Sequence, residues 1–497
     1  MLRRFFLIIA TIIIFISLNL LNIFHKNFSF AQRNYKTIKE LVYTIPEGYK
    51  RIVWLALSPD KKRWAMLLKR NNDNKFILVV DGKNHIEYNK NPFSGLFDGR
   101  EYILYEPPPY FQFSPDSKSF AYRYSTESKD KYFIIWDNLK FEAYDDILDF
   151  VFSPNSKHIA YSVYETKTKK YFVVLNNQEG KRYDWISQLT FSPDSKQLVY
   201  TAREGDKWFV VLNDKESQKY DEISELKFSS DGTKLAYVAR EGDNWFIVVD
   251  GKRGKNYQKI EEIYFSPNNQ NIAYIAGENC DKYLSCSKKF VVFNNREGKR
   301  YDWVSEIKFS PDSKKLAYVA IDGNKIMLVV NNKEVKSYYY YGNPGYIDYL
   351  NFSPITNDFD FVKIFRQSSF TDIDNADNPL SYEGEKSIIT LNNEIIGEYK
   401  SNCCSIYMDI TGILFLTFAP NGKYIIYVVD ESKLNETLND FIVQQSIVIF
   451  EKTTKKKIKL SYKGEILNKP SFSEDNKYLI YFVQEGNNIY KTTISLN

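Results

Sequence analysis

One short unit, written about ten times, constrains this chain more than any other feature of it. Its anchor is a Phe/Leu-Ser-Pro-Asp turn followed by an apolar stretch. The clearest copies read FSPDSKSFAYRY from Phe113, FSPNSKHIAYSV from Phe152, FSPDSKQLVYTA from Phe191 and FSSDGTKLAYVA from Phe228. They continue with FSPNNQNIAYIA from Phe265 and FSPDSKKLAYVA from Phe309, and weaker copies start at Leu57, Phe352, Phe418 and Phe472. The anchor serines Ser114, Ser153 and Ser192 are 39 residues apart, and Ser192, Ser229 and Ser266 are 37 apart. Steps this regular, built from strand-forming residues, indicate stacked sheets rather than a helical solenoid.

Each copy reads as four strands. From Glu225 these are ELKFS, then KLAYVAR after the turn at Ser230–Thr233, then NWFIVVD, then a short strand near Asn256 and Tyr257. Third strands such as WFVVLN and YFVVLN are apolar without alternation, as expected for a sheet covered on both faces. The fold class expected is therefore all-β, a β-propeller of four-stranded blades over residues 32–497, preceded by an N-terminal apolar helix. The last copy supplies only three strands, and residues 37–43 could complete its sheet and hide the exposed edges. About ten blade motifs fit one large ring or two smaller ones.

The FSPDSKxLAY copies resemble the WD-like repeat of TolB-type periplasmic propellers and of the propellers of prolyl-oligopeptidase-like peptidases. The resemblance covers most of residues 50–485 and implies the propeller fold; it says little about function. The GH…WD signature of true WD repeats is missing, and Trp136-Asp137 is a lone match. TolB-like proteins also carry an extra N-terminal α/β domain, and only 18 residues separate Gln32 from the first blade here. The resemblance therefore does not imply a Tol–Pal role.

Residues 1–31 hold no acid. Arg3 and Arg4 precede an almost unbroken apolar run from Phe5 to Phe24, and Ser29-Phe30-Ala31 offers the small residues a signal peptidase reads. Cleavage after Ala31 is the preferred reading. A run long enough to span a bilayer makes an uncleaved anchor the alternative, with membrane contact only through residues 5–24. Both readings place everything after Gln32 outside the cytoplasm, periplasmic or extracellular. The net charge of +5 falls to +2 without Arg3, Arg4 and Lys26, which argues against nucleic acid or acidic lipid as a partner. Cys280 and Cys286 could close a small loop disulfide in such a compartment; Cys403 and Cys404 are adjacent, and a bond between them would be strained.

Little here suggests an enzyme. There are three histidines, no Gly-x-Ser-x-Gly elbow, and no room after the last blade for a peptidase domain. His25 lies in the export segment, and His85 and His158 read as packed or surface residues. The sialidase Asp box is not matched, and the Asp of each Ser-Pro-Asp turn is explained by backbone capping. The stretch from Asp372 to Glu383 has the length of a calcium loop, but Ala376 and Asp377 break its ligand and glycine positions. No catalytic, cofactor-binding or metal-ligating residue is assigned.

The loops between second and third strands and those between blades share one face, and the length variation collects there: 277–289, 367–386 and 430–445. The inter-blade loops add Tyr144-Asp145, Tyr183-Asp184, Tyr220-Asp221 and Tyr301-Asp302, with Trp185 and Trp303 following two of them. A ring of Tyr, Trp and carboxylates could grip a protein segment or a glycan. The competing reading packs each Tyr between blades and has each Asp cap a turn, which leaves only the two tryptophans unexplained. The expectation is an exported, non-enzymatic scaffold that binds a protein partner or cell-envelope component through this face. The alternatives are a propeller hydrolase acting on glycans or peptides and a purely structural envelope protein.

Overall fold

The computed structural model describes residues 36–496 except 72, 74, 90–110, 126–130, 282–284, 340–348, 353–358, 368–385, 392–393, 401–412, 431–432, 436–439, 443–444, 463 and 474. The N-terminal apolar segment, the calcium-like stretch Asp372–Glu383 and the pair Cys403–Cys404 lie outside the described residues. Every regular element among the described residues is a strand.

The strands form ten antiparallel blades, numbered here in chain order: residues 49–88, 111–140, 146–179, 185–216, 222–253, 259–297, 303–339, 349–400, 413–462 and 465–495. Blades 1 to 9 have four strands each in sequential order, and blade 9 carries an extra hairpin, Lys433–Asn435 with Asp440–Ile442. Blade 10 takes its outer strand from the other end of the chain. Thr37–Thr44 pairs antiparallel with Asn488–Ser495, Thr37 opposite Ile494 and Thr44 opposite Asn488.

The repeat's anchor makes the first turn of each blade. The buried Ser114 hydroxyl donates to Asp116 Oδ1 at 2.6 Å, and the same carboxylate oxygen accepts the Lys118 amide at 3.1 Å. Ser114 Oγ also accepts the Ser119 amide at 2.9 Å. Ser192 with Asp194 and Ser310 with Asp312 repeat this arrangement. The fourth residue of the turn must take positive φ, as Ser117, Ser156, Ser195, Asn269 and Ser313 do, and glycine stands there only at Gly232 and Gly422. Its side chain is also a joint between blades. Ser117 Oγ accepts the amide of Asp60, Ser156 that of Asp116, Ser195 that of Asn155 and Ser313 that of Asn268.

Second strands such as Leu198–Glu204 and Leu235–Glu241 are buried along five consecutive residues because both faces meet a neighbouring blade. The apolar clusters accordingly bridge consecutive blades, as when Tyr183 and Tyr200 of the fourth meet Ala160 and Val173 of the third. Other clusters join blades 1 to 2, 2 to 3, 4 to 5, 5 to 6, 6 to 7, 8 to 9 and 9 to 10. Strands Trp303–Phe309 and Tyr349–Phe352 touch between blades 7 and 8. Ile52, Leu55 and Met66 of blade 1 pack on Leu467, Phe482 and Ile489 of blade 10. Among the described residues the contacts thus run in one circuit of ten blades.

First strands lie at the centre of that circuit, because those of neighbouring blades touch: Asp146–Phe152 with Trp185–Phe191, and Glu222–Phe228 with Lys259–Phe265. Those of blades 4 to 7 are each broken by a bulge, which places Gln188, Glu225, Glu262 and Glu306 at positive φ. The outer strands of blades 2 to 6 are only two residues long, so the rim offers little edge to a foreign strand.

A candidate binding pocket where three blades meet

The Tyr-Asp pairs of the inter-blade loops are occupied by the scaffold. Tyr144, Tyr183, Tyr220 and Tyr301 are buried, each edge-on or tilted against a second-strand tyrosine of the blade it opens: Tyr161, Tyr200, Tyr237 and Tyr318, at 6.0 to 6.3 Å between centroids. Such pairs contribute about 0.5–1.5 kcal/mol beyond their buried area. Burial, and then the neighbouring tyrosine, holds the phenols of Tyr144 and Tyr183 far above the usual range, so they stay protonated.

The aspartates are bridges. Asp184 accepts from Lys170 Nζ of blade 3 at 2.6 Å and from the Gly205 amide of blade 4 at 2.7 Å. Asp145 does so with Lys131 and Thr166, Asp221 with Lys207 and Gly242, and Asp302 with Lys288 and Gly323. These hydrogen bonds, the lysine's first, keep all four carboxyls below the usual range. In blade 5 the lysine position holds Asn244 and the aspartate position holds Gln258, whose Oε1 accepts the Cys280 amide at 3.0 Å. Both charges are absent there together, as a bridge requires.

Two of the singled-out side chains remain open to solvent: Trp185 is 39% exposed and Trp303 48%. They do not share a site. Trp185 rests on Tyr171, 4.8 Å between centroids. Trp303 lies over a cation, Lys289 Nζ being 3.7 Å from its ring centroid. It also walls a pocket of 340 Å³ between the first strands of blades 5, 6 and 7, with Glu225, Ile260, Glu261, Glu262 and Lys289.

Lys289 is only 6% exposed, and its ammonium donates to both carboxylate oxygens of Glu261 at 2.9 and 3.1 Å. Burial pushes the Glu261 carboxyl up, but hydrogen bonds from Lys289 and Lys259 outweigh it and leave it below the usual range. Beside this pair the bulge glutamates converge. Burial and then the carboxylates of Glu262, Glu306 and Glu225 drive the Tyr264 phenol well above its ordinary value, and Tyr264 donates to Glu262. Lys227 Nζ donates to the Ile263 carbonyl at 2.8 Å.

Blade 6 is singular here. The Lys289 position is aromatic in blades 2 to 5 (Tyr132, Tyr171, Trp208 and Trp245), each bridged to the inter-blade tyrosine as Lys289 is to Tyr301. The Glu261 position is Ser187, Ser224 or Ser305 in blades 4, 5 and 7. An ion pair with a buried lysine and a partly buried glutamate, replacing an aromatic and a serine in one repeat, is not needed to build a blade. Neither residue stands out when the sequence is read linearly; superposing the copies would have exposed both.

Cys280 and Cys286 face one another across the second and third strands of blade 6 and are joined, with Cα atoms 3.8 Å apart. Gly277 beneath them leaves room for the bond, since a Cβ there would lie 2.5 Å from Cys286 Sγ. His158 Nδ1 is 2.7 Å from Asn176 Nδ2, and His85 packs edge-on to Tyr122, its pKa lowered by burial. No group of three or more potential metal ligands occurs among the described residues, and no helix among them is long and apolar enough to cross a membrane.

No protein-family model matches the chain, and no curated protein sequence does. Solved structures resemble it distantly. A eukaryotic initiation factor is 16% identical, over 75% of this chain and 92% of that one, with a TM-score of 0.41. The WD40 domain of SCAP from fission yeast is 11% identical over 94% and 96%, with a TM-score of 0.31. The β-propeller domain of the Trilobed protease from Pyrococcus furiosus is 13% identical over 57% and 93%, with a TM-score of 0.27. The chain is a β-propeller repeat protein on the strength of the ten blades among its described residues and their packing.

Proposed function

We propose that this protein is an exported, non-enzymatic scaffold that holds a protein partner or cell-envelope component on the face where the inter-blade loops gather. One observation carries the reading: Trp303, exposed on that face, lines a pocket built on a charge pair that the repeat does not require. Large, rigid aromatics at the mouth of a concave site are the usual energetic anchors of protein recognition. The disulfide Cys280–Cys286 suits an oxidising compartment, as does the export segment at residues 1–31. The TolB-type resemblance of the repeats fits the same setting without supplying a partner.

An immobilised chain, challenged with envelope extract, should retain a saturable partner that Trp303→Ala releases. Retention that survives both Trp185→Ala and Trp303→Ala but fails on substitution of the Ser-Pro-Asp turns would move the site to the opposite face. The runner-up is a hydrolase of glycans or peptides. Its support is the set of carboxylates on the central strands, among them Asp149, whose carboxyl burial holds up at about 6. A glycosidase and peptidase screen on purified protein separates the two. Activity abolished by Asp149→Asn or Glu225→Gln would replace the scaffold reading.

A further inference from the structure

We propose that the pocket between blades 5, 6 and 7 takes one cationic side chain, an ammonium or a guanidinium, presented by the partner polypeptide. This rests on the binding-face reading and specifies the chemistry at its centre. The pocket is concave and walled by three carboxylates against one ammonium. Glu261 is spent on Lys289, which takes both of its oxygens, and on Lys259. Glu225 and Glu262 are exposed on their bulges, one on each of two adjacent central strands; Glu262 accepts from the neutral Tyr264 hydroxyl, which leaves its charge uncompensated. An anion would meet both of them, and an apolar group would strip water from them without compensation. A cation satisfies them.

Trp303 is suited to the same guest. The ring already holds the Lys289 ammonium over one face, and nearly half of its surface remains open. The alkyl stem of a lysine or arginine can lie along that open surface while its head reaches the carboxylates. Lys289 then positions the site: neutralised by Glu261, it fixes the indole without adding net charge. Among the described residues, the glutamates at positive φ on first strands lie in this sector. In blade 4 the equivalent residue is Gln188, and its amide oxygen is already used by the Leu226 amide at 3.0 Å.

The test is a titration of the purified full-length protein, followed by tryptophan fluorescence. The probes are acetyl-lysine amide, acetyl-arginine amide, neutral acetyl-norleucine amide and spermidine. The expected result is saturable binding of the lysine or arginine probe, weakened about tenfold or more by the double variant Glu225→Gln/Glu262→Gln and by raised salt, with none for norleucine. Trp303→Ala, a change at an exposed ring, should weaken the same probe and serves if the double variant fails to fold. Equal binding of norleucine, indifference to both variants, or no binding of either cationic amino acid overturns the proposal. Spermidine bound in place of the amino-acid probes overturns the assignment to a polypeptide. Retention of an envelope partner that needs Trp303 but not Glu225 or Glu262 sinks the cation assignment and leaves the binding face standing.

Discussion

The ammonium of Lys289 sits 3.7 Å from the centre of the Trp303 ring and is held from below by Glu261. One residue comes from the third strand of blade 6 and the other from the first strand of blade 7, so this contact is also a joint between blades. Removing the lysine alone leaves the partly buried Glu261 carboxylate with Lys259, 3.1 Å away. Lys289→Met should therefore destabilise the protein by about 2–3 kcal/mol in denaturant unfolding, somewhat less than a fully uncompensated buried charge. Replacing both partners with the residues of blades 4 and 5, Lys289→Trp with Glu261→Ser, should recover most of that loss while abolishing partner binding. Full binding by the double variant would make the pair part of the scaffold.

Asp149 gives a pH signature of opposite sign to most acids. Its folded pKa, about 6, lies above its ordinary value, so its contribution is complete below the unfolded pKa and is lost as pH rises through 6. Asp149→Asn should raise stability at pH 7.5 by roughly 1–3 kcal/mol and change little at pH 4. Thermal melts of both proteins at the two values check this.

The bridging aspartates behave in the ordinary direction. Asp145, Asp184, Asp221 and Asp302 all have depressed pKa values, so their contribution holds above the unfolded value and disappears as pH falls through the folded one. Asp184→Asn should cost about 1 kcal/mol at neutral pH and flatten the loss of stability below pH 4. A variant that melts in parallel with the parent from pH 7 to pH 2.5 would show the bridge to be idle.

Blades 4 and 5 lack the hydroxyl joint found between blades 1 and 2, 2 and 3, 3 and 4, and 6 and 7, because the position of Ser117 or Ser195 is Gly232. Its φ of +74° suits glycine, and a Cβ there would lie 3.0 Å from Asp194 Oδ1. Gly232→Ala should destabilise by about 1–2 kcal/mol, and Ser195→Gly by about 1 kcal/mol through loss of the acceptor for the Asn155 amide. Hydrogen exchange should show the latter loss first at that amide.

Much of the architecture was legible in the sequence because each blade repeats its own instructions. The Ser-Pro-Asp turn, the doubly covered LAYVA strand and the 37- to 39-residue step all name the same sheet. What could not be read was the difference between a repeated residue and a working one. Tyr183 and Asp184 look like a surface motif in one dimension, and in three they are a buried ring and a bridge between Lys170 and Gly205. Lys289 and Glu261 carry no motif. Their meaning comes from replacing an aromatic and a serine that meet only after the strands pair. The number of rings is likewise set by a contact distant in sequence, Leu467 and Phe482 against Ile52 and Leu55.

The central claim is that a partner binds where Trp303 lines the pocket, and paired affinity measurements test it most directly. The partner retained from envelope extract should be titrated against the parent protein, Trp303→Ala, and Asp116→Ala on the turn face. The account predicts at least a tenfold loss for Trp303→Ala, as expected of an aromatic anchor, and an unchanged affinity for Asp116→Ala. An unchanged affinity for Trp303→Ala, with loss on Asp116→Ala in a protein that still melts cooperatively, would contradict it.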